Sequence, residues 1–158
     1  MDYKTAAKRI LQESQYMSLS TCDGKTPWVA PLYYWMDDEY NLYFASPTDT
    51  LHAQHILKNP AVAVAIFDSR QLEGTGTGVQ IEGHASLLDE KEYPQALELR
   101  NKKKYPAEQE RAKHPIDLAN YQGSKRIFKI VSLKFYMPDE DYWEKQHLDR
   151  RIEVRLQE

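Results

Sequence analysis

The sequence contains very little cysteine: Cys22 is the only one among 158 residues. A single cysteine cannot form a disulfide bond within the chain, so nothing suggests a small secreted protein held together by disulfides. A catalytic thiol would also need a neighbouring base and a positively charged setting. Cys22 instead ends a β-prone stretch just before Asp23-Gly24, which favours a structural role.

Long apolar runs and an excess of positive charge are also missing. No stretch approaches the roughly 18 apolar residues of a membrane-spanning helix, and the first residues lack the apolar core of a signal peptide. The formal net charge of -3 argues against a dedicated nucleic-acid-binding protein. The one basic cluster, residues 100–104, is typical of a solvated helix face. We therefore expect a cytoplasmic protein without a membrane or nucleic-acid partner.

Familiar catalytic motifs are absent as well. The chain has no Gly-x-Ser-x-Gly, no metalloprotease motif and no cysteine–histidine pair at a usable spacing. The adjacent acids at 37–39 fit a solvated hairpin turn better than an acid–base pair, which needs two groups facing across a substrate. The glycine-rich stretch 74–78 precedes a strand and not a helix, so it indicates a β-connection and not a nucleotide loop. This absence fits a protein whose chemistry would come from a bound cofactor.

The sequence does contain a series of short β-prone segments flanked by helices. Helical spacing of apolar residues predicts a first helix from Tyr3 to Leu11, with Asp2 as its N-cap. Further helices are predicted at 51–58, from Asp89 to about 104 with a capping box, and in pieces within 107–124. Strands are predicted at 16–22, 28–36, 41–45, 61–67, 79–87 and 126–137.

These elements predict one domain, 1–158, of the mainly β (α+β) class. Its core would comprise 16–88 and 126–137, with a helical excursion at 89–124 and a charged tail at 139–158. We expect a closed six-stranded antiparallel barrel with peripheral helices. On its last strand, one face should carry Val131, Leu133, Phe135 and Met137.

The segment Ala61 to Phe67 is apolar at all seven positions. A strand with one solvated face would alternate apolar and polar residues, as 79–87 does, so this strand must be covered on both faces. In a small barrel, the second cover comes from an added helix or from another subunit. We favour another subunit and therefore expect a homodimer.

The turn at 46–50 is rich in hydroxyls and leads directly into the helix at 51–58. Free backbone N–H groups and the helix dipole favour an anion at such a position, so this turn can hold a phosphate, with His52 in contact. His52 and His55 also share a helix face, and Asp49 or His84 could add a third metal ligand. We favour phosphate contact over a metal site, and simple burial or exposure of the histidines stays open.

Taken in order, these segments resemble the FMN-binding split barrels related to pyridoxamine 5'-phosphate oxidase. The residues that carry the resemblance are Val29-Ala30-Pro31-Leu32-Tyr33-Tyr34, Leu42-Tyr43-Phe44-Ala45-Ser46, Thr50-Leu51-His52-Ala53, Lys58-Asn59-Pro60-Ala61-Val62 and Val79-Gln80-Ile81-Glu82-Gly83-His84-Ala85. The resemblance implies a homodimer with two flavins at its interface. It implies that Pro31, Leu32, Tyr33 and Tyr34 line the isoalloxazine ring, and that Ser46, Thr48, Thr50 and His52 surround the phosphate. Barrel packing and turn capping are the competing roles for these two groups.

The chain departs from the oxidase at four positions. Where the oxidase binds the FMN phosphate with an arginine and a lysine in its second strand, this chain has Ala30 and Trp35. Where the oxidase has adjacent arginine and lysine at the helix start, this chain has Leu51 and His52. The resemblance therefore implies a general flavin-binding branch and not the vitamin B6 oxidase itself.

Three functions follow from these observations. The first is an FMN-dependent oxidoreductase acting on an unknown small molecule. The second is a non-catalytic module that binds or stores flavin, haem or another planar ligand, which the missing phosphate clamp would favour. The third is an enzyme that uses a deazaflavin, which would need a broader basic groove.

Overall fold

The computed structural model describes residues 2–74 and 76–157. The α-helices are α1 (Tyr3–Glu13), α2 (Leu51–Lys58), α3 (Tyr93–Lys104), α4 (Glu108–Ala112) and α5 (Glu140–Gln146), with 3-10 helices at Glu90–Glu92 and Leu118–Tyr121. The strands are β1 (Tyr16–Cys22), β2 (Pro27–Tyr33), β3 (Trp35–Met36), β4 (Leu42–Pro47), β5 (Ala61–Phe67), β6 (Gly78–Leu87), β7 (Lys125–Pro138) and β8 (Arg151–Glu153).

The strands form one antiparallel sheet in the order β2-β1-β5-β6-β7-β4-β3, with β8 added alongside β7. The described sheet therefore has eight strands and not the predicted six. The predicted strand 28–36 is divided at Tyr34, whose N–H donates to the carbonyl of Gln15 and leaves the ladder. The two resulting strands, β2 and β3, lie at opposite ends of the sheet, so the sheet is curled and split and not a closed ladder.

The predicted helices 3–11 and 51–58 are confirmed. The carboxylate of Asp2 accepts from the N–H of Thr5 at 3.1 Å, which caps α1, and α1 buries Ala7 and Leu11 against the sheet. The predicted helix from Asp89 begins as a 3-10 turn. The Asp89 carboxylate accepts from the N–H of Lys91, whereas in a capping box it would accept from the N–H of Glu92. No helix in the described ranges reaches the length and apolar character that a membrane crossing requires.

Strand β5 buries alternate residues only. Val62, Val64 and Ile66 point into the main core, whereas Ala61 and Phe67 are exposed on the opposite side of the sheet. The described chain therefore covers one face of β5 and leaves its outer face accessible. The glycine-rich stretch 74–78 leads into β6, as predicted: Gly74, Gly76 and Thr77 lie in the connection from β5, Gly78 begins β6, and Thr75 falls outside the described residues.

The faces of β7 differ from the prediction. Phe135 and Met137 are buried, but Val131 and Leu133 are 43% and 52% exposed. The pairing of β6 with β7 shifts between Glu82 and Gly83, so one additional residue of β7 stands in the ladder. Because a β-bulge reverses which residues face the core, the alternation read from the sequence applies to only half of the strand.

The C-terminal tail, which the sequence left as a charged segment, is part of the fold. Val154 and Leu156 are buried at 6% and 3% exposure and belong to the main core. The amide of Gln157 donates to the carbonyl of Glu39 at 2.8 Å. The tail therefore contributes apolar packing close to the last residues of the chain.

Candidate functional site

Three polar side chains meet where β4 ends and α2 begins. The Nε2 atom of His52 lies 2.8 Å from Ser46 Oγ and 3.1 Å from Thr50 Oγ1, and the two hydroxyls are 3.1 Å apart. Ser46 and His52 are buried, and Thr50 is partly exposed. We call Ser46, Thr50 and His52 the α2 cluster. Their closeness in the chain explains their meeting, because a tight turn separates the strand end from the helix start.

The N-terminus of α2 lacks a side-chain cap. Thr50 occupies the N-cap position, but its hydroxyl makes no capping hydrogen bond and donates to the carbonyl of Pro47 at 2.9 Å. Ser46 Oγ donates to the same carbonyl at 3.2 Å. A helix normally satisfies its first N–H groups through such a cap, so the first turn of α2 keeps donors that an anion can accept from.

Thr48 is the fourth residue predicted to surround a phosphate, but its hydrogen bonds are made with residues outside the α2 cluster. Its backbone N–H donates to the carbonyl of Ser124, and its carbonyl accepts from the amide of Gln54 at 2.6 Å. Both contacts fix the turn. Thr48 thus supports the loop that carries the cluster.

The α2 cluster carries little positive charge. Burial is the main cause that lowers the pKa of His52, and nearby His55 lowers it further, so the neutral ring is favoured at pH 7. Leu51 is exposed, and Ala30 and Trp35 are buried apolar residues. Any phosphate at this helix start would therefore be held by hydroxyls and backbone N–H groups, without a permanent cation among these four positions.

Residues 31–34 do not form one uniform surface. Pro31 is exposed and Leu32 and Tyr33 are half-buried on β2, which is the end strand of the sheet. An end strand has backbone N–H and C=O groups on one side that no strand pairs with. Tyr34, in contrast, is fully buried, and its hydroxyl donates to the carbonyl of Leu11 at 2.6 Å. Its ring therefore packs in the main core.

The histidines do not converge on a metal. The Nδ1 atom of His55 lies 3.2 Å from Thr21 Oγ1 in the interior, whereas His84 is exposed on the outer face of β6. Among residues 2–74 and 76–157, no group of three histidine, cysteine, aspartate or glutamate side chains is arranged to hold a metal ion.

One functional candidate was missed in the sequence. The basic stretch 100–104 looked like a solvated helix face, yet Lys103 Nζ donates to the carbonyl of Ser14 and lies 3.6 Å from the centre of the Tyr34 ring. Burial lowers the pKa of Lys103 to about 8. No local pattern signals this placement, because the partners are distant in the chain: Ser14 directly follows α1, and Tyr34 lies between β2 and β3.

The comparisons with known proteins identify a family and a fold. A model of the pyridoxamine 5'-phosphate oxidase family matches residues 3–135. None of the curated proteins matches this sequence. A protein of unknown function from Agrobacterium tumefaciens is 17% identical with a TM-score of 0.67; the alignment covers 86% of this chain but only 56% of that protein.

Two further solved structures are of proteins whose names state what they bind or store. A FAD-binding protein from Mesorhizobium loti is 18% identical with a TM-score of 0.61, over 84% of this chain and 91% of that one. The haem storage protein HutZ from Vibrio cholerae is 16% identical with a TM-score of 0.65, over 84% of this chain and 92% of that one. At these identities the similarity establishes a shared fold.

Proposed function

The chain belongs to the pyridoxamine 5'-phosphate oxidase family, and we propose from this that it binds FMN, with the phosphate at the start of α2 and the ring beside β2. The observation that carries the proposal is the α2 cluster together with the uncapped first turn of α2. The FAD-binding protein from Mesorhizobium loti, which has the same fold, supports a flavin as the ligand.

The residues present fit a phosphate through neutral donors. The hydroxyls of Ser46 and Thr50 donate to the carbonyl of Pro47, and both could turn to an anion at the helix start. The helix dipole adds a favourable term of about 0.3–1 kcal/mol. The site would bind FMN less tightly than one that contains arginine and lysine, because each charge-assisted hydrogen bond contributes about 1.5–3 kcal/mol.

The ring would lie along β2. Free backbone groups on the outer side of this end strand can hydrogen-bond the edge of a flat heterocycle, and the exposed Pro31 and the half-buried Leu32 and Tyr33 provide apolar contact. Tyr34 would support this segment from the core through its hydrogen bond to Leu11.

We propose that two copies pair through the outer face of β5. Ala63 lies opposite Ser20 of β1 and Glu82 of β6, and Ala65 lies opposite Ser18 and Gln80. The small side chains of β1 and β5 allow close approach of a second sheet, and a shallow concavity of about 330 Å³ lies on this face. Pairing here would complete the second cover of β5 that its apolar sequence requires.

A bound flavin would supply the redox chemistry of the site. The role of the protein would be to bind, orient and exclude water. We therefore propose an oxidoreductase of the cytoplasm that acts on a small molecule.

The experiment is a titration of the purified protein with FMN, followed by quenching of flavin fluorescence. We expect saturable binding. The double variant Thr50→Ala/His52→Ala should weaken it about tenfold or more, because it loses the Thr50 hydroxyl and the imidazole that holds the Ser46 hydroxyl in place. Lys58→Ala, an exposed change at the other end of the same helix, should keep the wild-type affinity. No saturation at micromolar FMN would refute the proposal. Equal FMN affinities of the wild type and both variants would show that the phosphate does not bind at the start of α2.

The lack of a permanent cation at the α2 cluster favours a second candidate, a non-catalytic module that binds a planar ligand such as haem. HutZ, with the same fold, is a haem storage protein. His84 is the exposed histidine on the outer face of the sheet and would be the candidate iron ligand, since His52 is engaged by Ser46 and Thr50. Titration with hemin should then give a Soret band that His84→Ala shifts or removes, while FMN fails to saturate.

A further inference from the structure

A second concave site lies between the C-terminal ends of α1 and α3. It has a volume of about 380 Å³, which is within the range of pockets that hold small organic ligands. Its walls include the rings of Tyr16 and Tyr33 and the cationic side chains of Arg100, Lys103 and Lys104. We call it the α1–α3 pocket.

The aromatic wall has a defined geometry. The rings of Tyr16 and Tyr33 meet edge to face, with centres 6.0 Å apart and planes at 80°. Tyr16 is 63% exposed, so a large aromatic surface stays accessible at the pocket mouth. A flat apolar group could pack on this wall, and aromatic pairs gain free energy beyond the area that they bury.

The cations of the pocket are not neutralised by the chain. In the described ranges, none of Arg100, Lys103 and Lys104 forms an ion pair with a carboxylate, whereas neighbouring Lys102 pairs with Glu98 at 3.1 Å. Lys103 is held in place by its hydrogen bond to the Ser14 carbonyl and by the ring of Tyr34. Glu13 is the one acidic residue in the lining, and it is exposed.

We propose that the α1–α3 pocket binds an aromatic acid, with its ring on Tyr16 and Tyr33 and its carboxylate or phosphate on Arg100 and Lys104. Arg100 suits this role because its planar fork matches the two oxygens of such a group. Binding does not depend on the flavin. Tyr33 belongs both to this pocket and to the segment that we assign to the flavin ring. Only the further statement that the aromatic acid is the substrate of the flavin therefore rests on the proposed function.

The partly buried Lys103 makes a second measurement possible, namely proton uptake on ligand binding. Burial lowers its pKa to about 8, and a nearby anion would raise it. Binding at pH 8.5 should therefore take up protons from the buffer. A neutral ligand of the same shape should not.

The test is isothermal titration of the full chain, without added flavin, using benzoate, phenyl phosphate and the neutral control benzamide. We expect benzoate or phenyl phosphate to bind and benzamide to bind at least tenfold more weakly, because it lacks the charge-assisted hydrogen bonds. The two acids also distinguish a carboxylate ligand from a phosphate ligand. Equal affinity for benzamide and both acids, or no heat from either acid, would overturn the proposal.

Three variants locate the site. Arg100→Gln should weaken binding of the acid about tenfold through loss of a charge-assisted hydrogen bond, and Glu13→Gln should strengthen it by removing a like charge. Lys102→Gln makes the same charge change as Arg100→Gln on the same helix, but outside the lining, and should leave affinity unchanged. Equal weakening by Lys102→Gln and Arg100→Gln would indicate general charge attraction and would refute binding in the α1–α3 pocket.

The two proposals can fail separately. A protein that binds benzoate but not FMN would refute the proposed function alone.

Discussion

The Nε2 atom of His52, in α2, lies 2.8 Å from the hydroxyl oxygen of Ser46, in β4, and the contact is buried. This contact joins the end of β4 to the start of α2, and the imidazole is buried there. The resulting loss of solvation is the main reason that the pKa of His52 is lowered. The turn therefore couples the protonation of one histidine to the geometry of the candidate phosphate site.

We expect the stability of the ligand-free protein to fall as the pH is lowered from 7 to 5. The folded pKa of His52 lies below its ordinary value of 6.5, so the unfolded chain takes up a proton first. The contribution is fully present above the unfolded pKa and is lost progressively as the pH falls from there through the lower, folded pKa. Urea denaturation at each pH should show this decrease, with a smaller decrease in His52→Gln and a wild-type decrease in His84→Gln. A His52→Gln protein with an unaltered pH dependence would contradict the prediction.

The bulge between β6 and β7 should not tolerate a side chain at Gly83. A Cβ atom there would lie 2.6 Å from Ile130 Cγ2 and 2.9 Å from the carbonyl oxygen of Val131. Overpacking of this kind costs about 1–3 kcal/mol. We expect Gly83→Ala to lower the free energy of unfolding by that amount in urea denaturation. Gly76→Ala, whose nearest contact would be 3.7 Å away, should have little effect, and equal stability of the two variants would argue against the bulge geometry.

The end of the chain should contribute measurably to stability. Leu156 is buried in the main core, so Leu156→Ala should lower the free energy of unfolding by about 2–5 kcal/mol. Leu148→Ala, at a 59% exposed position of the same tail, should change it by less than about 0.5 kcal/mol. Thermal or urea unfolding of both variants checks this, and a Leu156→Ala protein as stable as the wild type would show that the tail does not pack as described.

The outer face of β5 should be a subunit contact. We expect sedimentation velocity to show a dimer for the wild-type protein and a monomer for Ala63→Glu. The new carboxylate would stand directly opposite Glu82 and would have to be desolvated on pairing. Gln95→Glu makes the same charge change at an exposed position of α3 and should stay dimeric. A wild-type monomer, or an Ala63→Glu dimer of unchanged affinity, would exclude this face as the contact.

Features that depend on neighbours in the chain could be predicted from the sequence. The cap of Asp2 on α1, the end of α2 before Asn59-Pro60 and the bounds of β5 are all set by local residue chemistry. The same holds for the meeting of Ser46, Thr50 and His52, which lie within seven positions of one another. A strand, a turn and a helix start bring them together in any fold that contains this segment.

Features that depend on distant partners could not be predicted. The reversal of faces along β7 results from a bulge in its pairing with β6, which no residue of β7 reveals alone. The burial of Tyr34 depends on α1, because its hydroxyl donates to the carbonyl of Leu11, 23 residues earlier. Lys103 is likewise defined by Ser14, 89 residues away.

The most direct test of the account compares FMN with riboflavin, which lacks the phosphate, by isothermal titration at pH 7. We predict that FMN binds the wild-type protein more tightly, and that the difference shrinks in the variant Ser46→Ala/Thr50→Ala while the affinity for riboflavin stays the same. Equal affinities for FMN and riboflavin in the wild-type protein would contradict a phosphate site at the start of α2.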